Sequence, residues 1–254
     1  MAKLLLSVLF IVLVAVPVAG AHDAEPSQQG WAALVIDVQP CFVTGGTLAV
    51  AGADAAYVSD VQRATKWLYR KGFLILGSRD YHPSNHISFA SNHPGYNPFD
   101  VITLGDGRVQ VLWPDHCVQT AGDSRELVDN NLFFELIKKG QDWKYDSYSA
   151  FRDDGGADTE LHSILQALGV TDLVVYGIAT DYCVKASVMD ALNLGYSVVV
   201  VEDLIRGVAP DTSAAAIAEM KAAGAVFVPS VIGLAPPKAK SKLQEIIQSH
   251  APAN

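Results

Sequence analysis

The sequence predicts an α/β fold with three layers, α/β/α, around a central, mostly parallel, six-stranded Rossmann-like sheet. Short apolar runs rich in Val, Ile and Leu, typical of buried parallel strands, alternate with segments of helical periodicity of ten or more residues. This alternation places helices on both faces of a parallel sheet. In addition, charged or nucleophilic residues follow several predicted strands, at the edge where such sheets bind their ligands.

The first elements are predicted from periodicity and from the residues that end them. Residues 32–38 form a strand whose apolar run only Asp37 interrupts, and a helix over 54–70 ends before Gly72. Residues 73–77 (FLILG) form the second buried strand. The segment 78–113 is long for a loop and rich in aromatic, His and Asn residues, so we predict an ordered lid or site wall.

The alternation continues in the second half of the chain. Part of 131–138 is a strand that leads to Lys139 and Gly140, and the helix over 158–168 ends at Gly169. The remaining elements are predicted as strand 172–177, helix 181–194, strand 196–201, helix 212–223 and strand 225–228. A Lys- and Ala-rich segment after Pro236 is a candidate peripheral helix.

The N-terminus is typical of a secretory signal peptide. Lys3 precedes an apolar run of about fifteen residues and small residues up to Ala21, so we predict a signal peptide over 1–21 and a single domain over 22–254. The alternative is a retained anchor, but the run is shorter than the about 20 apolar residues of a membrane span. We therefore expect a secreted or periplasmic protein, not bound to the membrane after cleavage.

The overall charge excludes some classes of partner. The formal net charge is −9, which argues against nucleic acid and anionic membranes as partners. A small molecule is the expected substrate.

The chain has three cysteines, Cys41, Cys117 and Cys183, so at least one thiol is free even in an exported protein. Cys183 follows the predicted strand 172–177 through the residues GIATD and lies in the first turn of a helix. Unpaired N–H groups and the helix dipole there lower the pKa of a thiol and can bind a developing anion. The alternative is an inert buried cysteine, which is common.

Asp37, Asp80, Lys139 and Cys183 all fall at the carboxyl ends of predicted strands. A carboxylate in a buried strand is costly without a partner, and burial raises its pKa toward that of a general base. An ammonium group nearby would stabilise a thiolate. The alternatives are an Asp37 bound by loop amides and a solvated Lys139, although strand alternation makes Lys138 the better surface candidate.

Asp80, His82 and His116 are candidate metal ligands. Asp and His two residues apart can face one cation, and four of the seven histidines lie between residues 82 and 116. One carboxylate and two imidazoles suit one divalent ion in an open site, with Zn²⁺ the best match and Fe²⁺ or Mn²⁺ as alternatives. His86 is a candidate fourth ligand or a supporting group.

Together these motifs resemble the nicotinamidase/pyrazinamidase branch of the isochorismatase-like cysteine hydrolases. The matching segments cover nearly all of the chain after residue 21, and the D-x-H and W-P-x-H-C pair separates this branch from its metal-free relatives. They are D-x-Q from Asp37, SRDYHPSNHISFA from Ser78, WPDHCV from Trp113, K-G…DSYSAF from Lys139 and GIATDYCV from Gly177.

The resemblance implies a nicotinamide amidohydrolase that also accepts pyrazinamide. It implies Cys183 as nucleophile, Asp37 as general base and acid, Lys139 as the cation beside them, and Asp80, His82 and His116 as metal ligands. It further implies an oxyanion hole from the N–H groups of Ala179 and Cys183 and a cis Ile178–Ala179 peptide bond. Phe42 and Trp113 would sandwich the pyridine ring of the substrate, with Tyr148 on the wall of the binding site.

Three expectations remain open on the sequence alone. The chain could instead be a related amidase for a carbamoyl or ureido substrate, or a non-catalytic exported protein that binds a metal or ligand. The three aromatic residues could be ordinary core, and a homo-oligomer is compatible with the family. The family is mostly intracellular, so the predicted export departs from its pattern.

Overall fold

Residues 30–234 are described by a computed structural model. The signal peptide predicted over 1–21 and the helix predicted after residue 236 lie outside this range. The strands are β1 Trp31–Ile36, β2 Leu74–Asp80, β3 Val101–Thr103, β4 Val109–Val111, β5 Glu135–Lys139, β6 Asp172–Ile178, β7 Ser197–Arg206 and β8 Val226–Val228. The α-helices are α1 Ala55–Arg70, α2 Leu161–Ala167, α3 Lys185–Asn193 and α4 Pro210–Ala222.

Six of the strands form one sheet in the order β5-β2-β1-β6-β7-β8, and every neighbouring pair in it is parallel. The predicted fold class is therefore confirmed. The central strand β1 is buried along its whole length between β2 and β6. Register aligns the strand ends, since Ile36 pairs with Ser78 and Gly177, and Asp80 pairs with Lys139. One edge of the sheet thus receives the residues that follow β1, β2, β5 and β6.

Helix α1 shows how local sequence determines an element. Asp54 caps it by accepting a 2.9 Å hydrogen bond from the N–H of Tyr57, which satisfies one of the free donors of the first turn. The apolar residues at helical spacing, among them Val61 and Leu68, are buried against the sheet as predicted. Burying one such side chain contributes about 1.5–3 kcal/mol.

Several elements differ from their predicted bounds: β1 ends at Ile36, before Asp37, β2 continues to Asp80, and α3 begins only at Lys185. The reason is visible for two others. Helix α2 begins three residues later than expected, at Leu161, because the Thr159 hydroxyl accepts the N–H of Leu161 and Arg152 bridges to Asp158 in the preceding loop. Strand β7 continues to Arg206, past the end of its apolar run. A register shift in the pairing with β6 permits this, so that Ile178 pairs with Arg206.

The long segment after β2 is ordered, as predicted. It carries the β3–β4 antiparallel hairpin, and Trp113 and His116 beyond this hairpin line a cavity at the sheet edge. Within residues 30–234, no helix has the length and apolar character needed to cross a bilayer.

Candidate active site

Lys139 lies at the centre of a buried cluster at the carboxyl edge of the sheet. Its Nζ lies 3.0 Å from Oδ2 of Asp37 and 3.4 Å from Sγ of Cys183, and it donates to the Ser147 carbonyl at 2.7 Å and to Oδ1 of Asp80. The side chain is 2% exposed, whereas Lys138 points to solvent, as the alternation of the strand predicted. The predicted convergence of sulfur, carboxylate and ammonium is confirmed.

The ammonium of Lys139 stays charged in this environment. Burial alone would lower the pKa of Lys139, but the carboxylates of Asp37 and Asp80 raise it well above its ordinary value. A buried positive charge between two carboxylates compensates both of them, which is the condition under which buried charges persist.

Asp37 follows the last residue of β1 and is fully buried. Its backbone has φ +50°, in the left-handed region that is uncommon for a non-glycine residue. The hydroxyl of Ser78 donates to Oδ1 at 2.7 Å. Burial raises the pKa of Asp37 from 3.8 to about 6, against the opposing charge of Lys139. A carboxyl with this pKa can both accept and release a proton near neutral pH.

Cys183 lies on a π-helical turn, Thr180–Val184, that connects β6 to α3. One oxygen each from Asp37 and Asp80 and the sulfur of Cys183 all lie within 4.8 Å of one another. The expectation of a lowered thiol pKa is wrong for this environment. Burial raises the pKa of Cys183 well above its ordinary value, and although Lys139 lowers it, the two carboxylates raise it further. The thiol therefore needs a base.

The turn that carries Cys183 is held by two groups that sequence reasoning did not single out. The Asp181 carboxylate accepts from the N–H groups of Val208 and Ala209 and from the Thr212 hydroxyl, which ties the turn to the start of α4. Gly177, with φ +133°, has no room for a Cβ against the backbone of Ile36. Glycine is thus required where β1 and β6 end side by side.

Asp80, His82 and His116 are buried beside this cluster, with one ligand atom from each within 4.8 Å of the others. Nδ1 of His82 is 2.9 Å from the Gly140 carbonyl and Nδ1 of His116 is 2.7 Å from the Pro114 carbonyl. These contacts leave both Nε2 atoms facing Oδ2 of Asp80, at 3.5 and 3.8 Å. Imidazoles oriented by backbone carbonyls are typical of metal ligands, so the three residues fit a divalent ion.

His86 lies beside the metal cluster, with its ring centroid 4.3 Å from that of His82. Both of its nitrogens are engaged, Nδ1 with the Ser88 hydroxyl at 2.8 Å and Nε2 with the Tyr145 carbonyl at 3.1 Å. Burial and the neighbouring His82 lower the pKa of His86 to about 4. This geometry suits a neutral supporting ring more than a fourth ligand.

A cavity opens beside the two clusters and is lined by residues of both, namely Cys183, Asp80 and His116. Phe42, Trp113, Tyr148 and Ala179 lie on its wall, as the resemblance implied. Trp113 Nε1 donates to the Tyr148 hydroxyl at 3.2 Å. The Ile178–Ala179 peptide bond is cis, as expected.

Two features in and near this cavity were not predicted from the sequence. Tyr182 lies on the wall, with its ring 4.9 Å from Trp113 and nearly perpendicular to it. Its place next to Cys183 in the sequence could have indicated this. Cys41 and Cys117 form a disulfide, which leaves Cys183 as the free thiol of the described residues. The odd cysteine count required one free thiol, but no spacing rule identified the pair.

Comparison with known proteins places this geometry in a family. A family model described as the isochorismatase domain matches residues 32–230. The nicotinamidase of Escherichia coli (strain K12) is 43% identical over 201 residues, which covers 77% of this chain and 93% of that protein.

Solved structures agree with this match. A nicotinamidase and pyrazinamidase of Acinetobacter baumanii superposes with a TM-score of 0.73 at 36% identity, covering 81% of this chain and 98% of that one. The pyrazinamidase of Pyrococcus horikoshii in complex with zinc gives a TM-score of 0.66 at 32% identity, covering 78% and 98%. The chain therefore belongs to the isochorismatase-domain family, and its similar relatives there include nicotinamidases and pyrazinamidases.

Proposed function

We propose that this protein is a nicotinamide amidohydrolase that converts nicotinamide and water to nicotinate and ammonia, and that it also accepts pyrazinamide. One observation carries the proposal: a thiol, a carboxylate and an ammonium meet beside a three-ligand metal cluster at one aromatic cavity. The nicotinamidases and pyrazinamidases among its relatives support the choice of substrate.

In the first half of the reaction Cys183 is the nucleophile. Asp37 accepts the thiol proton as the sulfur attacks the amide carbon, which overcomes the raised pKa of the buried thiol. Lys139 stabilises the negative charges of Asp37 and of the sulfur. The C–N bond then breaks, and Asp37 returns its proton to the departing ammonia, leaving a thioester on Cys183.

In the second half Asp37 acts as base again. It takes a proton from a water molecule as the oxygen attacks the thioester carbon, and the C–S bond breaks. The thiolate of Cys183 takes that proton from Asp37, which restores the resting state. The carboxylic acid that is released gives its own proton to the ammonia in solution and becomes nicotinate. A carboxyl with a pKa of about 6 is suited to both directions of transfer.

The proposed oxyanion hole consists of the backbone N–H groups of Ala179 and Cys183, two residues that line the cavity. Two such donors stabilise the tetrahedral oxyanion, and loss of one donor typically costs about 10²–10³ in rate. Phe42 and Trp113 would hold the pyridine ring from its two faces, with Tyr148 and Tyr182 closing the wall. Fixing the ring presents the amide carbon to the sulfur.

Asp80, His82 and His116 would hold the divalent ion, which we propose to be Zn²⁺. A carboxylate with two imidazoles suits this ion, and the Pyrococcus horikoshii pyrazinamidase was solved in complex with zinc. When bound, the ion would supply an electrophilic point that attracts the pyridine nitrogen. Asp80 also accepts from Lys139, so His82 and His116 are the ligands whose mutation separates positioning from chemistry.

We also propose that residues 1–21 are a cleaved signal peptide and that the mature protein is secreted or periplasmic. The N-terminal sequence supports this proposal, as does the Cys41–Cys117 disulfide, because disulfides persist mainly in oxidising compartments. N-terminal sequencing of the protein from a secretion-competent host would test it, with a first residue of His22 as the expected result.

The activity is tested by ammonia release from the metal-loaded protein on nicotinamide, pyrazinamide and a panel of carbamoyl and ureido compounds. We expect the two pyridine-type amides to rank first. Cys183→Ala should abolish turnover while metal remains bound, whereas His82→Ala should lose metal and weaken substrate binding. Wild-type turnover by Cys183→Ala would refute the mechanism, and preference for a ureido compound would refute the substrate.

A further inference from the structure

The Cys41–Cys117 disulfide joins two loops that lie at the rim of the cavity. The two residues are 76 positions apart in sequence, their Cα atoms are 5.6 Å apart, and both are fully buried. One loop follows β1 and the other carries part of the metal cluster. The bond therefore joins two segments that each contribute a residue, Phe42 or His116, to the cavity wall.

Each half-cystine is adjacent to a residue of the site. Cys41 immediately precedes Phe42, and Cys117 immediately follows His116, whose ring centroid lies 5.5 Å from that of Phe42. The Cys117 carbonyl also accepts the backbone N–H of His82 at 3.1 Å. The disulfide is thus one residue away from Phe42 on the cavity wall and from the proposed metal ligand His116, and one hydrogen bond away from the proposed ligand His82.

The backbone at Cys117 adopts an uncommon conformation that its surroundings must hold. Its φ is +48°, in the left-handed region that non-glycine residues rarely adopt. Its N–H donates to the Asp123 carboxylate at 3.2 Å. The cross-link adds a covalent restraint to this hydrogen bond and to the packing of the His116 ring against Phe42 and Phe89.

We propose that the Cys41–Cys117 disulfide is a positioning element that holds Phe42 and His116 in register, so that breaking it weakens the metal and ring sites and spares the Cys183 chemistry. The part that concerns nicotinamide rests on the proposed function, whereas the part that concerns metal does not. Breaking the bond takes two electrons: one dithiol reductant becomes a cyclic disulfide, and Cys41 and Cys117 become thiols.

The test compares the protein with its disulfide intact and the double variant Cys41→Ala/Cys117→Ala. For metal binding, both proteins also carry Cys183→Ala, so that the free thiol does not bind zinc. Zinc affinity is measured by competition with a chromophoric chelator. We expect the affinity to fall about 10–100-fold, the range typical of lost supporting contacts around a metal. With Cys183 intact, KM for nicotinamide should rise about tenfold while kcat changes less than about threefold.

A destabilised control separates positioning from general stability. Leu165 is buried in α2 and absent from the cavity wall, so Leu165→Ala should lower the melting temperature without changing zinc affinity or KM. If the cysteine double variant lowers only the melting temperature, the proposal is overturned. If the double variant does not fold, wild type reduced with a dithiol and freed of reductant gives the same comparison. Three free thiols in the exported protein would also overturn it.

The metal readout keeps the two proposals distinguishable. Oxidised protein with no activity on nicotinamide would refute the proposed function and leave the zinc comparison valid. If the oxidised protein is active and loss of the disulfide changes neither zinc affinity nor KM, only the proposed role of the disulfide is refuted. The proposed function would stand.

Discussion

Replacing Lys139 with Met tests whether one ammonium group holds the site together. Methionine retains a long flexible stem but no charge, so Asp37 and Asp80 would lose the cation that both contact. Removing one partner of a buried ion pair typically costs about 3–5 kcal/mol, a large part of the about 5–15 kcal/mol that stabilises a domain.

The structure gives this cost a pH dependence. With Lys139 present, the pKa of Asp37 is about 6, and Lys139 is the strongest influence that lowers it. In Lys139→Met we expect Asp37 to fold protonated. At pH 8, two units above the wild-type pKa of Asp37, the wild type gains about 3 kcal/mol from ionising this carboxyl, at 1.36 kcal/mol per unit. The variant would lack this gain. At pH 5 the wild-type Asp37 is itself mostly protonated, so this component of the cost nearly vanishes.

The assay is urea unfolding of Lys139→Met and wild type at pH 8 and pH 5, with equal zinc. The sign follows from linkage: because the folded pKa of Asp37 is raised, its contribution to stability is present below its ordinary value of 3.8 and is lost as pH rises through about 6. We expect a stability deficit that is larger at pH 8, together with a loss of turnover of about 10²–10⁴.

The matched control is Lys138→Met, the neighbouring lysine on the exposed face of β5. It should leave activity unchanged and alter stability only slightly, because exposed charges contribute little. The two variants are compared by their loss in free energy of unfolding. If Lys139→Met loses no more than Lys138→Met, or if its loss does not depend on pH, the ammonium does not compensate the buried carboxylates. The assignment of Lys139 to the catalytic cluster would then be wrong.

Two further predictions concern the base and the metal cluster. Because the proposed base must be ionised, kcat/KM for nicotinamide should fall about tenfold per pH unit below about 6, the pKa of Asp37, and a profile that stays flat to pH 4 would exclude Asp37 as base. Gly140→Ala should weaken zinc binding about 10–100-fold, since a Cβ there would meet the His82 ring. Gly95→Ala is its control, because Gly95 also has positive φ but no neighbour within 4 Å. Equal zinc affinity in both alanine variants would contradict the contact.

The sequence alone determined the fold class, the strand-helix order and the edge of the sheet that carries the site. These follow from local properties. Apolar β-branched runs favour buried strands, parallel strands need helical crossovers, and the crossovers place every strand's carboxyl end on one side. Asp37, Asp80, Lys139 and Cys183 could therefore be assigned to one edge before any distance was known.

Only the tertiary structure decided the electrostatics of the site. The helix start at Cys183 predicts a lowered thiol pKa, but burial and two carboxylates from distant strands raise it instead. Likewise, the Cys41–Cys117 pairing and the orientation of the His82 ring by the Gly140 carbonyl depend on contacts between residues far apart in sequence. Charge balance and side-chain orientation are sums over neighbours in space, and a linear pattern does not contain them.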